Sequence, residues 1–281
     1  MSTLVDEWKG KIPDLHFPET VPFSEYDGDP AASPVVAKNE TVSMGKQKYF
    51  IESREQLDRL RDWMAQHGNP KHWLMQQYIE SPGESPSTYR VLVDCTGHIV
   101  TSQLSYGPPK KEGLRLNGAQ HRRDDDPSRF LETPGNKHFL DARAIASNTM
   151  ILHQNDTTTG GRITLNPLPI SHPYSKVEKQ LLKDHGLHQE QPVLPPEIVK
   201  VASAIGREMG MEGDQIHELL LGLDFVQDKH TGRHYFLEAN RRPSLAPVRD
   251  MLGSANAVAE IQAWQWVINE AMNRVAQMRQ R

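Results

Sequence analysis

Cysteine is almost missing from this chain. Its 281 residues include one, Cys95, so no disulfide can close within it, and a small scaffold held by cross-links is excluded. A single thiol fits a reducing compartment, and a cytoplasmic protein is expected. No apolar run approaches the roughly 20 residues of a membrane span. The opening MSTLVDEWKGK is too polar for a secretory signal. The net charge of -4 provides no overall field toward nucleic acid or anionic lipid, so neither is expected as a partner. There is no GxxxxGKS/T phosphate loop, no HExxH, no paired CxxC and no GxSxG elbow. The 13 histidines are scattered without ligand spacing, and no repeat of solenoid period occurs. What is present is globular. A hydrophobic fraction of 37% at this length fills one sizeable core or two smaller lobes.

The most informative stretch is GLDFVQDKHTGRHYFLEANRRPSL, from Gly222 to Leu245. GLDFVQ and RHYFLE are strand-like, and Asp228 to Gly232 is turn chemistry. A turn centred near Thr231 places Asp224 opposite Glu238, with Asn240 on the same face. Two carboxylates about 4 Å apart at an effective dielectric of about 20 repel by on the order of 4 kcal/mol. A hard divalent cation removes that cost, and Asp, Glu and an Asn amide oxygen suit Mg²⁺. The alternative is a surface hairpin whose acids are solvated.

Upstream, SPVVAK (33–38) is an apolar run ending in Lys38, and a loop with Gly45, Lys46 and Lys48 follows. Ser53 and Gln56 make a capping box ahead of a helix with the stripe Leu57, Leu60, Trp63 and Met64, which Gly68 stops. HWLMQQYIE (72–80) reads as a strand. Tyr89–Val93 and His98–Leu104 read as a hairpin about Thr96-Gly97. Pro196 opens a helix with Val199, Ala202, Ile205 and Met209 at helical spacing. A last helix, about 255–280, carries Trp264, Val267, Ile268, Ala271 and Val275 along one side. Trp8, Phe17, Phe23 and Tyr26 are expected to dock a Pro-rich N-terminal arm onto the body.

This order, closed by the D…ExN pattern, resembles the ATP-grasp superfamily over roughly residues 33–250. The resemblance implies an α+β, two-lobed fold. Each lobe is an antiparallel sheet packed with helices, and ATP lies between the lobes. The expected divisions are an N-terminal arm (1–29), a small lobe (30–78), a large lobe with the metal hairpin (79–253) and a C-terminal helix (254–281). The resemblance further implies cofactors ATP and Mg²⁺. Lys38, Lys46 and Lys48 would hold the phosphates, Gln76 and Ile79 the adenine, and Asp224, Glu238 and Asn240 the metal. Arg90 and Arg242, with Arg162 beside them, would neutralise charge developing in the reaction. The implied activity is a carboxylate–amine ligase that forms an acyl phosphate and passes the acyl group to an amine-type nucleophile. A kinase that stops at phosphoryl transfer and a non-catalytic nucleotide-binding module are the alternatives.

The sequence also departs from that pattern. The phosphate loop has one glycine, Gly45, and so offers fewer backbone donors. A glutamine, Gln76, stands where family members commonly place an acid. Only residues 1–29 precede the small lobe, where the family usually carries a further α/β domain. The acceptor site is therefore expected from the charged 106–137 loop, from a second subunit of a homodimer, or from a partner protein. That loop has Lys110, Lys111, Arg115, Arg122 and Arg123 ahead of three aspartates, and is either solvated or reads an anionic substrate.

Overall fold

The computed structural model describes residues 8, 10–41, 48–67, 69–107, 148–152, 174–213, 215–241, 243 and 257–280. Two antiparallel sheets organise them, and helices pack on both, so the protein is α+β. The first sheet has the order β1-β4-β2-β3, from β1 (Thr20–Pro22), β2 (Val35–Asn39), β3 (Lys48–Ile51) and β4 (Trp73–Gln77). Helix α1 (Arg54–His67) covers one face, burying Leu57, Leu60 and Met64 against Ala37, Ile51, Trp73 and Met75. It starts where the capping box is expected: Ser53 Oγ accepts from the Gln56 N–H, and Gln56 Oε1 accepts from the Ser53 N–H at 3.1 Å. Gly68 lies outside the described residues.

The second sheet has the order β11-β10-β5-β6-β7, from β5 (Ser87–Asp94), β6 (Ile99–Tyr106), β7 (Asn148–Ile151), β10 (Leu220–Gln227) and β11 (His234–Asn240). A short ribbon, β8 (Met211–Glu212) with β9 (Gln215–Ile216), joins α3 (Pro196–Gly210) to β10. One face of the sheet is apolar. It presents Tyr89, Val91, Val93, Leu104, Leu223 and Phe225 to α3 and to α2 (Lys176–Asp184). The buried stripe of α3 is Ile198, Val201, Ala202 and Ile205, one position round from the stripe the sequence suggests; Val199 and Met209 sit at its margin. The rotation follows from Gly206 and Gly210, which turn toward the β5–β6 hairpin. A Cβ on Gly210 would lie 2.4 Å from Cys95 Cα, so the helix approaches the hairpin backbone as closely as glycine permits.

The N-terminal arm is more than a docked tail. Trp8 and Ile12 enter the core of the second sheet, and Phe17 packs beside it. Then β1 joins the edge of the first sheet against β4, and Phe23 enters that sheet's core, with Tyr26 packed against it. All four expected aromatic anchors therefore make packing contacts, and the arm ties both cores together.

The other face of the second sheet is polar except at one end. There α4 (Ala257–Arg279) lays Val267 against Leu92, Val100 and Leu220, and Arg274 Nε donates to the fully buried Asp94 at 2.7 Å. Ala271 and Val275 are buried as expected, but Ile268 is 39% exposed, because it lies on the flank of the stripe that meets the sheet. No helix among the described residues is long and apolar enough to cross a membrane.

His185 caps α2 and locks it to the sheet. Its Nε2 lies 2.7 Å from Ser87 Oγ, and its Nδ1 lies 2.9 Å from both Tyr89 Oη and Gln227 Oε1. Burial lowers its pKa to about 4, against the opposing pull of the Gln227 hydrogen bond. The unfolded chain holds the proton more tightly, near the ordinary 6.5. Stability from this site is therefore complete above about pH 6.5 and is lost as pH falls toward 4. The full shift corresponds to about 3 kcal/mol, of which about 2 kcal/mol is gone by pH 5, where most carboxylates remain ionised. Urea unfolding at pH 7 and pH 5 should show a loss about 2 kcal/mol larger in the wild type than in His185→Gln. Equal losses would mean that His185 is not held neutral.

Candidate active site

The polar face of the second sheet is built by register. Asp224 on β10 pairs directly with Arg90 on β5 and with Glu238 on β11. Arg90 pairs in turn with Gln103 on β6. Glu238, Asp224, Arg90 and Gln103 thus form one row across four strands, since residues directly opposite share a face.

The position of Glu238 in that row depends on a β-bulge. Near the turn the pairs are Gln227 with His234, Val226 with Tyr235 and Phe225 with Phe236. Carried straight on, that register would set Asp224 against Leu237. An irregularity between Asp224 and Phe225 absorbs the surplus residue and brings Glu238 opposite Asp224. Glu238 and Asn240 then share the face of Asp224, and Asn240 Nδ2 lies 3.5 Å from Asp224 Oδ2. The expected pairing is present. Its cause is the bulge, because the turn itself centres half a residue earlier.

Asp224 is 5% exposed and is gripped by a two-pronged ion pair. Arg90 Nε donates to Oδ1 and Arg90 Nη2 to Oδ2, each at 2.7 Å. The Asp224 hydrogen bond and charge, and then the Glu238 charge, raise the guanidinium pKa above its ordinary value, against burial. One fixed cation therefore offsets two facing carboxylates. Among the described residues, no three His, Cys, Asp or Glu side chains converge. The acids here are two, and a third oxygen donor would come from Asn240. The set is all oxygen: two carboxylates and one amide carbonyl. That chemistry fits a hard cation such as Mg²⁺.

The first sheet supplies a second cation. Its face away from α1 carries Val36, Lys38, Phe50, Leu74 and Gln76, each less than a tenth exposed. Lys38 Nζ donates to Gln76 Oε1 at 2.9 Å, and Gln76 Nε2 donates to Thr20 Oγ1 at 3.1 Å. Both polar ends of Gln76 are thus engaged within the sheet, and Thr20, on the N-terminal arm, orients it. Lys48 pairs with Lys38 across β2 and β3. Beyond β4, Ile79 is buried, and Tyr78 packs edge-on against Phe50 at 4.8 Å, with its hydroxyl pushed up to about 12 by burial. The segment after β4 reaches the β10–β11 hairpin, where the Lys229 N–H donates to the Glu80 carbonyl at 2.9 Å and the two side chains pair. Lys46, Arg162, Arg242 and residues 108–147 lie outside the described residues.

Two polar residues of this arrangement are not singled out by the sequence. Thr20 carries no local signal, because its role depends on β1 reaching β4. Gln103 is legible in principle: a hairpin about Thr96-Gly97 sets it opposite Arg90.

No protein-family model and no curated protein matches this chain. Among solved structures the chain is similar to the ATP-grasp ligase PsnB in complex with a minimal precursor, with 9% identity and a TM-score of 0.42 over 93% of this chain and 59% of that one. The same ligase with precursor peptide PsnA2 and AMPPNP aligns at 10% identity and a TM-score of 0.41, over 96% and 58%. The D-cycloserine synthetase DcsG aligns at 13% identity and a TM-score of 0.41, over 94% and 68%. The chain spans less than three-fifths of the length of PsnB.

Proposed function

We propose that this protein is an ATP- and Mg²⁺-dependent ligase that activates a substrate carboxylate as an acyl phosphate and joins it to an amine or similar nucleophile. The observation that carries this reading is the row Glu238–Asp224–Arg90, two carboxylates and one guanidinium held in register on the polar face of a sheet. Phosphoryl transfer asks a protein for positioning and charge neutralisation more than for covalent chemistry. The row supplies the positioning, and Arg90 is its one cation. Asp224, Glu238 and Asn240 would hold the metal, which when bound supplies charge neutralisation on the phosphates.

Lys38 binds the triphosphate. The Gln76 side-chain carbonyl positions the ammonium, accepting from Lys38 Nζ at 2.9 Å. Lys46 and Lys48 extend that contact. Ile79 and the backbone beyond β4 bound the adenine, next to the apolar Val36, Phe50 and Leu74. Arg90 faces the transferred phosphoryl group, and Arg242, two residues beyond Asn240 in the sequence, adds charge. The small lobe (30–78) and large lobe (79–253) bound the nucleotide between them, with the α4 segment (254–281) bracing the large lobe. In the reaction, a carboxylate oxygen attacks the γ-phosphorus and the bond to ADP breaks.

The test is an ADP-release screen over pairs of carboxylates and amines, read by mass spectrometry, with hydroxylamine added in a second arm. ADP release together with hydroxamate formation is expected. A phosphorylated product that hydroxylamine does not intercept would mean a kinase. No ADP release with any pair, despite nucleotide binding, would mean a binding module.

A further inference from the structure

Gln103 is more than nine-tenths buried, and its side-chain carbonyl, Oε1, has no hydrogen-bond partner among the described residues. Its amide end is occupied, since Nε2 donates to Ser105 Oγ at 3.4 Å. A buried carbonyl without a donor is uncommon and costly, and a polar group left in that state is often part of a functional site. Its location is informative. Gln103 stands directly opposite Arg90, on the side of Arg90 away from Asp224. With strands about 4.8 Å apart, it lies one strand beyond Arg90 and about 10 Å across the sheet from Asp224.

We propose that Gln103 is a substrate-binding residue whose Oε1 accepts a hydrogen bond from an N–H of the incoming amine. This deepens the ligase reading and rests on it for the nature of the donor. The row then has a functional order. Glu238 and Asp224 serve the metal and phosphate end, Arg90 the transferred phosphoryl group, and Gln103 the nucleophile. An amide carbonyl is an acceptor and not a base, so it selects a nucleophile that carries a hydrogen to donate and orients its nitrogen. The amine nitrogen forms a bond to the acyl carbon. The bond from that carbon to the phosphate oxygen breaks, its electron pair leaves with the phosphate, and the surplus amine proton goes to that phosphate. Gln103 holds a second N–H throughout.

The test uses the full chain with methylamine as the probe, in the presence of Mg²⁺ and a non-hydrolysable ATP analogue. Side-chain resonances of Gln103 and of Arg90 Nε–H are followed by NMR in the wild type and in Gln103→Leu. Saturable shifts at Gln103 are expected in the wild type, and a methylamine Kd at least about tenfold weaker, read at Arg90, in Gln103→Leu. The variant also removes an orphaned polar group, so its Tm should equal or exceed that of the wild type by about 2–4 °C. An unchanged Kd, silent Gln103 resonances or a lowered Tm would overturn the proposal, the last because it marks a structural amide. A protein that binds methylamine through Gln103 yet releases no ADP in the screen would sink the ligase reading alone.

Discussion

Glu238→Ala is expected to cut Mg²⁺-dependent ADP release by about a hundredfold or more, with the fold intact. The two outcomes separate because Glu238 is only half-buried and faces a like charge. Removing it takes away one of two opposed carboxylates, while the Arg90–Asp224 pair stays whole. Thermal melting should therefore shift by no more than about 4 °C, since a substitution at a half-buried strand position changes stability by about 1 kcal/mol. Asp224→Ala makes the instructive contrast. It also abolishes activity, but it strands a guanidinium that is 38% exposed, and so costs about 1–3 kcal/mol, less than a fully buried pair would because solvent reaches Arg90. ADP release across a Mg²⁺ titration, together with a melting curve for each variant, checks both. Wild-type turnover in Glu238→Ala would remove this residue from the metal site.

Gly210→Ala should damage stability at least as much as any change in the polar row. The new Cβ would sit 2.4 Å from Cys95 Cα and 3.1 Å from the Cys95 carbonyl oxygen, and backbone cannot move aside as a flexible side chain does. Overpacking of this kind costs about 3 kcal/mol, enough to lower Tm by about 6–12 °C in a chain of this size. Gly206→Ala meets Val93 Cγ2 at 2.6 Å and the Asp94 carbonyl at 2.8 Å, and should behave similarly. Ala is otherwise the better helix former, by about 1 kcal/mol. A rise in Tm would show that α3 does not press on the β5–β6 hairpin. Denaturation can be followed through Cys95, whose thiol is buried and pushed up to about 11 by that burial, so it reacts only when the hairpin opens.

Several local features are legible in the residues themselves. The Ser53–Gln56 capping box, the helix opening at Pro196 and the β5–β6 hairpin all rest on contacts within a few residues, where propensity and spacing dominate. Alternation along β10 and β11 likewise marks Asp224, Glu238 and Asn240 as a set. The differences arise where one more neighbour matters. Spacing alone does not say which flank of α3 or α4 meets a sheet, because adjacent stripes differ by one position. The choice is made by Gly210 against Cys95, and by Val267 rather than Ile268 against Leu92.

The amino-acid order by itself determined that the chain forms strands and helices in this succession, and that one hairpin carries three oxygen-bearing side chains, because those are consequences of short-range backbone preference and period. Tertiary structure alone decided that a bulge would bring Glu238 level with Asp224, that Arg90 would grip Asp224 from the neighbouring strand, that Thr20 would reach Gln76, and that Gln103 would be left with a bare carbonyl. Each of these depends on groups far apart in the chain, and such pairings are fixed by whole-sheet register and packing, to which local preference is blind.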